Sequence, residues 1–580
     1  AEIDDGDVTI RSGEMHSITV SITDDTPGVE SGDYTYEWYI DDELQDETES
    51  TFLFPARLVS SDEEYEVSVK VIDEFGAFGE DSTTITVEPS SYGLLEQTEE
   101  FTYTVDLGSK DSDVYFIFTN TSETDVSKTK VSANATRGVT HAVSPDRSQL
   151  PPPPEPSYTK DLPEAVAFWE DLPPLRKGYS RMEDTIGDPP PPSFDSVGDT
   201  FTFEEGPGEN VPATCRAISS AHGKTVNVYV EDNLHPGTID DNEAEEIATT
   251  FLQAGDNNDI YEWVTNIYGD EWGNHGYSDL IPLDDQITIL VLNIGGGTAG
   301  YFWPKDNYKT SVYSNSNERI MFYIDANYYN DYPEEGISTV AHEFQHVIHF
   351  YQKWVVAGVS TDTWYNEMCS LISEDLSAKK LQIPGPRGVT YSDGSAGSSG
   401  NTSSTLSYFN YYNDESLTTW DGSFIDYTTA YAFGAFLARN YGGAGLFEDL
   451  VQGSLANTSG VASAAGDEGG GSFSELLQKW GVATLLSDDT DAEDGIRYNK
   501  GDFFDSSTGG VTYEVGSINL YNYKYDTLEG PYIYSSSPVG ADSQQYGTSN
   551  VYFLAGTDLD GEQSWDIDMP DDVLMSVVFK

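Results

Sequence analysis

Apolar and polar positions alternate with period two over residues 1–90, and the period lengthens to that of helices after about residue 194. Tyr36, Trp38 and Ile40 alternate, as do Tyr65, Val67, Val69 and Val71, and Ile85 with Val87 closes the run, with a turn at Asp73-Glu-Phe-Gly76. This predicts a β-sandwich over 1–90. Strand signals continue at Phe101–Val105 and Val114–Phe118, which predicts a second small β domain over 91–145. Of the 27 prolines, 12 fall between 151 and 192, so 146–193 reads as extended linker, interrupted by one amphipathic piece at Asp161–Trp169. Mixed α/β signals follow over 194–358. Val226–Val230, Ile287–Ile294 and Ile320–Ile324 read as buried strands, and Asp241–Leu252 and Asp259–Tyr268 as helices. The run Gly295-Gly296-Gly297 lacks a following Lys-Ser/Thr and fits a turn at a cleft rim better than a phosphate loop. A helix is expected from near Ile337, after Pro333 and Gly336, and a helical subdomain over 359–500, with helices at Asp362–Leu376, Tyr427–Gly443 and Phe473–Leu486. Residues 501–580, rich in Tyr and Val, predict a C-terminal β domain.

The short, evenly spaced strands of 1–90 suit an immunoglobulin-like sandwich. The stretches Tyr36-Glu-Trp-Tyr-Ile-Asp-Asp42 and Tyr65-Glu-Val-Ser-Val-Lys-Val-Ile-Asp-Glu-Phe-Gly76 resemble the polycystic-kidney-disease-type repeats often attached to secreted bacterial hydrolases. Nothing in this part groups polar residues around a site, so a spacer fits it better than a binding module.

Composition narrows the partners. With 27 Lys+Arg against 101 Asp+Glu, the formal charge is −74, which argues against nucleic acid and anionic membrane surfaces. No apolar run approaches the ~20 residues needed to cross a bilayer, and the start at Ala1-Glu-Ile-Asp-Asp5 is neither basic nor apolar, as expected of a mature or trimmed product whose signal or lipid anchor lay upstream. A monomer is expected. Cys215 and Cys369 are too few for a disulfide scaffold and lack metal-site spacing; two buried thiols fit slightly better than one bridge.

The chemistry concentrates in Ser338–Tyr351. His342, Glu343 and His346 spell H-E-x-x-H, which on a helix stacks two imidazoles one turn apart on one face with a carboxylate beside the first. With 8 histidines in 580 residues, chance would write this about 0.01 times. Val340, Phe344, Val347 and Ile348 make an apolar face, so the helix is expected to be buried and its histidines to need partners. A catalytic zinc takes three protein ligands and a water. Glu367, 21 residues after His346 on the next predicted helix, is the expected third ligand; Glu374, two turns on, is the fallback, and Asp375 points elsewhere. His349 lies about 10 Å of helix rise from His342, too far to share its metal, and is expected to be a packed, hydrogen-bonded histidine.

His342-Glu-Phe-Gln-His346 followed by Asn366-Glu-Met-Cys-Ser370 resembles the gluzincin pattern, H-E-x-x-H then N-E-x-x-S, of thermolysin-like peptidases. The wider context, Ser338–Lys353 with Thr363–Ser370, is more similar to the hyicolysin family of bacterial zinc peptidases, over roughly residues 195–490. The resemblance implies a zincin fold, Glu367 as third ligand, and a secreted or cell-surface bacterial neutral metalloendopeptidase acting on proteins or peptides. One departure stands out: Leu371 occupies the place where thermolysin-like enzymes carry the Asp that orients the first histidine, so that acceptor must come from elsewhere.

The mechanism then expected has Zn²⁺ on His342, His346 and Glu367, Glu343 as base, and Tyr427 or Tyr431, both on the helix after the Gly/Ser-rich loop 393–405, as oxyanion donor. The amphipathic piece 161–169 could dock on a neighbouring domain or cover this site as a pro-segment would. Acidic clusters such as Asp488–Gly495 admit Ca²⁺, but they miss the EF-hand pattern, and a solvated loop fits better. Two other readings are a surface-binding protein with a structural or inactive metal site and a zinc aminopeptidase, although no G-x-M-E-N-type segment is present.

So large a like-sign charge opposes compaction unless salt screens it, which points to a high-salt habitat. Thermal unfolding and activity followed from low to molar KCl should both improve with salt; indifference to salt excludes this expectation.

Overall fold

The computed structural model describes residues 1–4, 6–23, 34–109, 111–133, 147, 150, 162–177, 195–206, 209–392, 394, 397 and 405–580. They form two compact units, one of 1–147 with 532–580 and one of 148–531. Most of the proline-rich stretch expected to be linker, and most of the Gly/Ser-rich loop 393–405, lie outside the described residues.

The first unit contains two cores. In the first, a sheet of Glu2–Ile3, His16–Ser21 and Thr51–Phe54 faces a five-stranded sheet containing Thr35–Ile40, Glu63–Ile72 and Phe78–Glu88. Alternation puts Trp38, Val67, Val69, Ile85 and Val87 in this core, and Trp38 stacks on Phe52 at 5.3 Å. The second core corrects the domain division expected above. Ser112–Asn120 pairs with both Asn550–Leu559 and Val573–Phe579, while Glu100–Asp106 and Val126–Ala133 flank Glu562–Asp568. Residues 91–133 and 539–579 thus build common sheets around Tyr103, Phe116, Phe553 and Trp565, rather than two separate domains. Each set alone would leave one face and several strand edges unpaired.

The second unit carries a six-stranded sheet in the order Thr200–Gly206, Glu209–Ala221, Lys224–Glu231, Gln286–Leu292, Ile320–Asp325, Gly300–Tyr301. Its three middle strands from Lys224 onward are parallel, and Gly300–Tyr301 is a short antiparallel edge. The parallel strands read as continuous apolar runs because both faces are covered. Helix α1 (Pro163–Glu170) precedes the sheet; α2 (Asp241–Phe251) and α3 (Ile260–Tyr268) cross between strands. Asp240 and Glu243 form a reciprocal cap on α2, and Asp259 caps α3. Gly295, Gly296 and Gly297 all have positive φ, the turn conformation that glycine permits.

After α4 (Ala326–Asp331), helix α5 (Pro333–His349) carries the motif. It begins four residues earlier than expected, because Pro333 sits at the first helical position, where its missing N–H costs nothing. A π-helical segment, 350–357, continues it to Gly358, whose φ of 68° ends the helix. Helix α6 (Thr363–Leu381) returns against α5. Asp362 is its N-cap residue, but the Asp362 side chain makes no capping bond. Then come α7 (Thr405–Tyr411), α8 (Phe424–Asn440), α9 (Ala444–Gln452), α10 (Asn457–Asp467) and α11 (Phe473–Leu485), followed by the hairpin Phe503–Thr508/Val511–Gly516. Cys215 and Cys369 are both free and buried, and burial pushes the Cys215 thiol up to about 12.

Candidate metal centre

Helix α5 is apolar on one side and polar on the other, yet every residue from Gly336 to His349 is buried. Its apolar side packs Phe344 against Phe251, Tyr261 and Phe322, with ring centroids 4.9–6.3 Å apart. That contact seats α5 on the middle of the sheet. On the other side the edge strand passes very close: a Cβ added to Gly300 would lie 3.0 Å from Glu343 Cγ and 2.8 Å from Thr339 Cγ2. Only glycine lets the strand run over this turn of α5.

Helix α6 supplies the opposing groups. His342 Nε2 lies 3.2 Å from Glu367 Oε2, and His346 Nε2 lies 3.5 Å from Glu367 Oε1. The imidazole centroids of His342 and His346 are 4.9 Å apart, as residues one helical turn apart should be. Ligand atoms of His342, His346 and Glu367 all fall within 4.8 Å of one another, a spacing a single metal ion can bridge. His342 Nε2 is buried without a hydrogen-bond partner although two acidic side chains flank the ring. An orphaned ring nitrogen aimed at a carboxylate is the donor arrangement that a cation fits.

Glu374 holds the other side of His342. Its Oε1 lies 2.8 Å from His342 Nδ1, and its Oε2 accepts a hydrogen bond from Ser338 Oγ at 2.5 Å. Expected only as a fallback ligand, Glu374 instead fills the gap left at Leu371: it fixes the imidazole so that Nε2 faces Glu367. The signal was present in the sequence, since Glu367 and Glu374 are seven residues apart and share a helix face, and Ser338 is one turn before His342. Beside His346, Ser370 Oγ lies 3.1 Å from Nδ1 and donates to Gln345 Oε1 at 2.5 Å. Asp375 points away and pairs with Arg439 at 3.1 Å.

His349 is outside this cluster. Its Nε2 lies 3.1 Å from Thr361 Oγ1 and its Nδ1 3.3 Å from Gln345 Nε2, and burial, with Lys353 and His346 adding to it, holds the ring well below its usual pKa. Tyr427 packs on Trp420 at 4.8 Å, while Tyr431 is fully buried in the field of Asp375 and Arg439, its phenol held well above the ordinary value by burial. Neither tyrosine lines the recess that opens on His346 and Glu367. Their place on the helix after the Gly/Ser-rich loop made them candidates, but α8 turns Tyr431 toward the Asp375 side of α6.

That recess, a small cavity of about 20 Å³, is walled by Ala165, Val166 and Trp169 of α1 and by Phe302, with Thr363 and Asn366 of α6 beside His346 and Glu367. The amphipathic piece seen before residue 170 is therefore a helix at the candidate site. Trp169 packs on His349 and Phe350 at 5.8 and 5.9 Å, and Glu170 accepts from Thr363 Oγ1 at 3.3 Å. A second group that could hold a metal, His222 with Asp259 and Glu262, lies elsewhere on the unit; its Asp259 already accepts backbone bonds from Gln253 and Glu262.

Comparison with known proteins adds three findings. The sequence pattern of the peptidase M30 family matches residues 209–500. The neutral metalloprotease ShpI of Staphylococcus hyicus is 29% identical over 262 residues, which are 41% of this chain and 50% of that protein, so the chain spans about half the length of the curated relative it matches. Fibronectin(III)-like modules of Clostridium thermocellum CbhA match at 15% identity and a TM-score of 0.13, covering 23% of this chain and 68% of theirs, a likeness too low to bear on the fold. Among the described residues no helix is long and apolar enough to cross a membrane.

The carboxylate on His342 Nδ1 gives a direct test. Replacing Glu374 with Ala should weaken binding of a divalent metal about 10–100-fold, measured by competition with a chromogenic chelator, with Glu374→Gln intermediate. Unchanged affinity would remove Glu374 from the site.

Proposed function

The chain belongs to the peptidase M30 family, and on that premise we propose that it is a zinc metalloendopeptidase, acting outside the cell or at its surface on protein or peptide substrates. The observation that carries this reading is the convergence of His342, His346 and Glu367 within 4.8 Å on two buried helices, with Glu343 on the intervening turn.

His342, His346 and Glu367 would hold the zinc, two neutral imidazoles and one carboxylate being a donor set suited to a catalytic site that keeps a position open. Bound there, zinc supplies a Lewis acid that acidifies water and polarises a carbonyl. The remaining roles belong to the chain. Glu343, fully buried beneath the edge strand, accepts a proton from the attacking water and passes it to the leaving nitrogen. Glu374 fixes His342 in the tautomer that presents Nε2, and Ser370 lies against the ring of His346. Neither Tyr427 nor Tyr431, expected as oxyanion donor, is among the residues that line the recess.

The reading is supported further by the family's name and by the relative's description as a neutral metalloprotease. Glu343→Gln should lower kcat on casein or a fluorogenic peptide by about 10²–10⁴-fold while the purified protein keeps one zinc per chain. A chelator should abolish activity and added zinc restore it. Turnover by the Gln variant near that of the unaltered protein, or activity indifferent to chelation, refutes the proposal.

A further inference from the structure

One polar side chain in the recess is used by none of the steps above. Asn366 immediately precedes Glu367 on α6, is 5% exposed, and lines the recess beside Glu367 and His346. Its Oδ1 is buried without a hydrogen-bond partner. The neighbouring polar groups are engaged: Thr363 Oγ1 donates to Glu170, and Ser370 Oγ donates to Gln345 Oε1. Facing Asn366 across the recess are apolar side chains, Val166 and Trp169 of α1 and Phe302.

A buried carboxamide oxygen left unpaired among apolar walls is unfavourable for folding and calls for a ligand. A planar amide offers one acceptor and one donor side by side, the complement of the N–H and C=O of a peptide group. His346 and Glu367 line the same recess, so a peptide bonded to Asn366 at its mouth would have its neighbouring carbonyl next to the candidate metal centre. We propose that Asn366 binds a backbone peptide group of the substrate next to the scissile bond, and that α1, outside the residues matched to the family, closes the apolar side of that subsite. This inference rests on the metallopeptidase reading. It concerns binding and orientation, in which a fixed pose lowers the barrier by bringing the carbonyl within reach of the attacking water.

The test uses the full chain loaded with zinc, as the unaltered protein and as Asn366→Ala, with Asn366→Leu as a volume-matched variant should the alanine variant misfold. Each is assayed on one fluorogenic peptide and on analogues N-methylated singly at the amides within two residues of the scissile bond. Zinc per chain and the thermal midpoint are measured in parallel. The proposal expects kcat/KM for the parent peptide to fall about 10–100-fold in the variants with zinc content unchanged. It also expects N-methylation at one amide to cost the unaltered protein a similar factor and the variants less than about threefold, because the bond to Asn366 is already gone. A variant with kcat/KM within about twofold of the unaltered protein overturns the inference and leaves the metallopeptidase reading standing. Equal methylation losses in the unaltered protein and the variants also overturn it, since they would make Asn366 a structural residue. An unaltered protein that neither holds zinc nor cleaves the parent peptide overturns both.

Discussion

The candidate centre depends on how closely α5 and α6 approach, because that distance places His342 between two carboxylates of one helix face. Glu374 holds Nδ1 at 2.8 Å and Glu367 stands 3.2 Å from Nε2. Neither contact would exist if α5 were not seated on the sheet by Phe344, nor if α6 were rotated by one residue, which would swing both glutamates about 100° round its axis. Burial then sharpens the constraint. Carboxylates and imidazoles withdrawn from water persist only where each has a partner, so the packing of two apolar faces and the chemistry of two polar ones are one problem. A chain with so large an acidic excess has placed several of its acids where their negative charge is put to use.

Much of this was legible in the sequence because it is periodic. Two histidines four apart and two glutamates seven apart announce helix faces, and the strands at 224–231, 286–292 and 320–325 were visible as unbroken apolar runs. What could not be read locally was which face meets which. The role of Glu374 required knowing that α6 runs back along α5 in register with Ser338. The position of α1 required knowing that a short helix embedded in proline-rich sequence packs on Phe302 and Phe350. The same limit applies to Ser112–Asn120, whose partners lie more than 400 residues on, at Asn550–Leu559 and Val573–Phe579. Alternation says that a strand has two faces and says nothing of its neighbours. The ring of Pro333 breaks a helix from within but is compatible with its first turn, and helix position alone does not show that α8 turns Tyr431 toward Arg439 and Asp375.

The recess also shows how residues with ordinary preferences acquire a function by juxtaposition. Trp169, Phe302 and Val166 are apolar side chains of the kind found in any core, and Asn366 is a carboxamide, a group that most chains leave at the surface. Brought together beside His346 and Glu367, they form a pocket in which Asn366 Oδ1 is buried without a hydrogen-bond partner. Gly300 contributes by what it lacks, since any side chain there would push the edge strand off Glu343.

The central claim is that one zinc ion is held by His342, His346 and Glu367. X-ray absorption at the zinc edge, on the full chain loaded with one equivalent of metal, tests it most directly. The account predicts two imidazoles at about 2.0–2.1 Å, with the remaining ligands all oxygen, in the unaltered protein, and loss of one imidazole in His346→Ala. A shell containing sulfur, or a spectrum unchanged by that substitution, would contradict it.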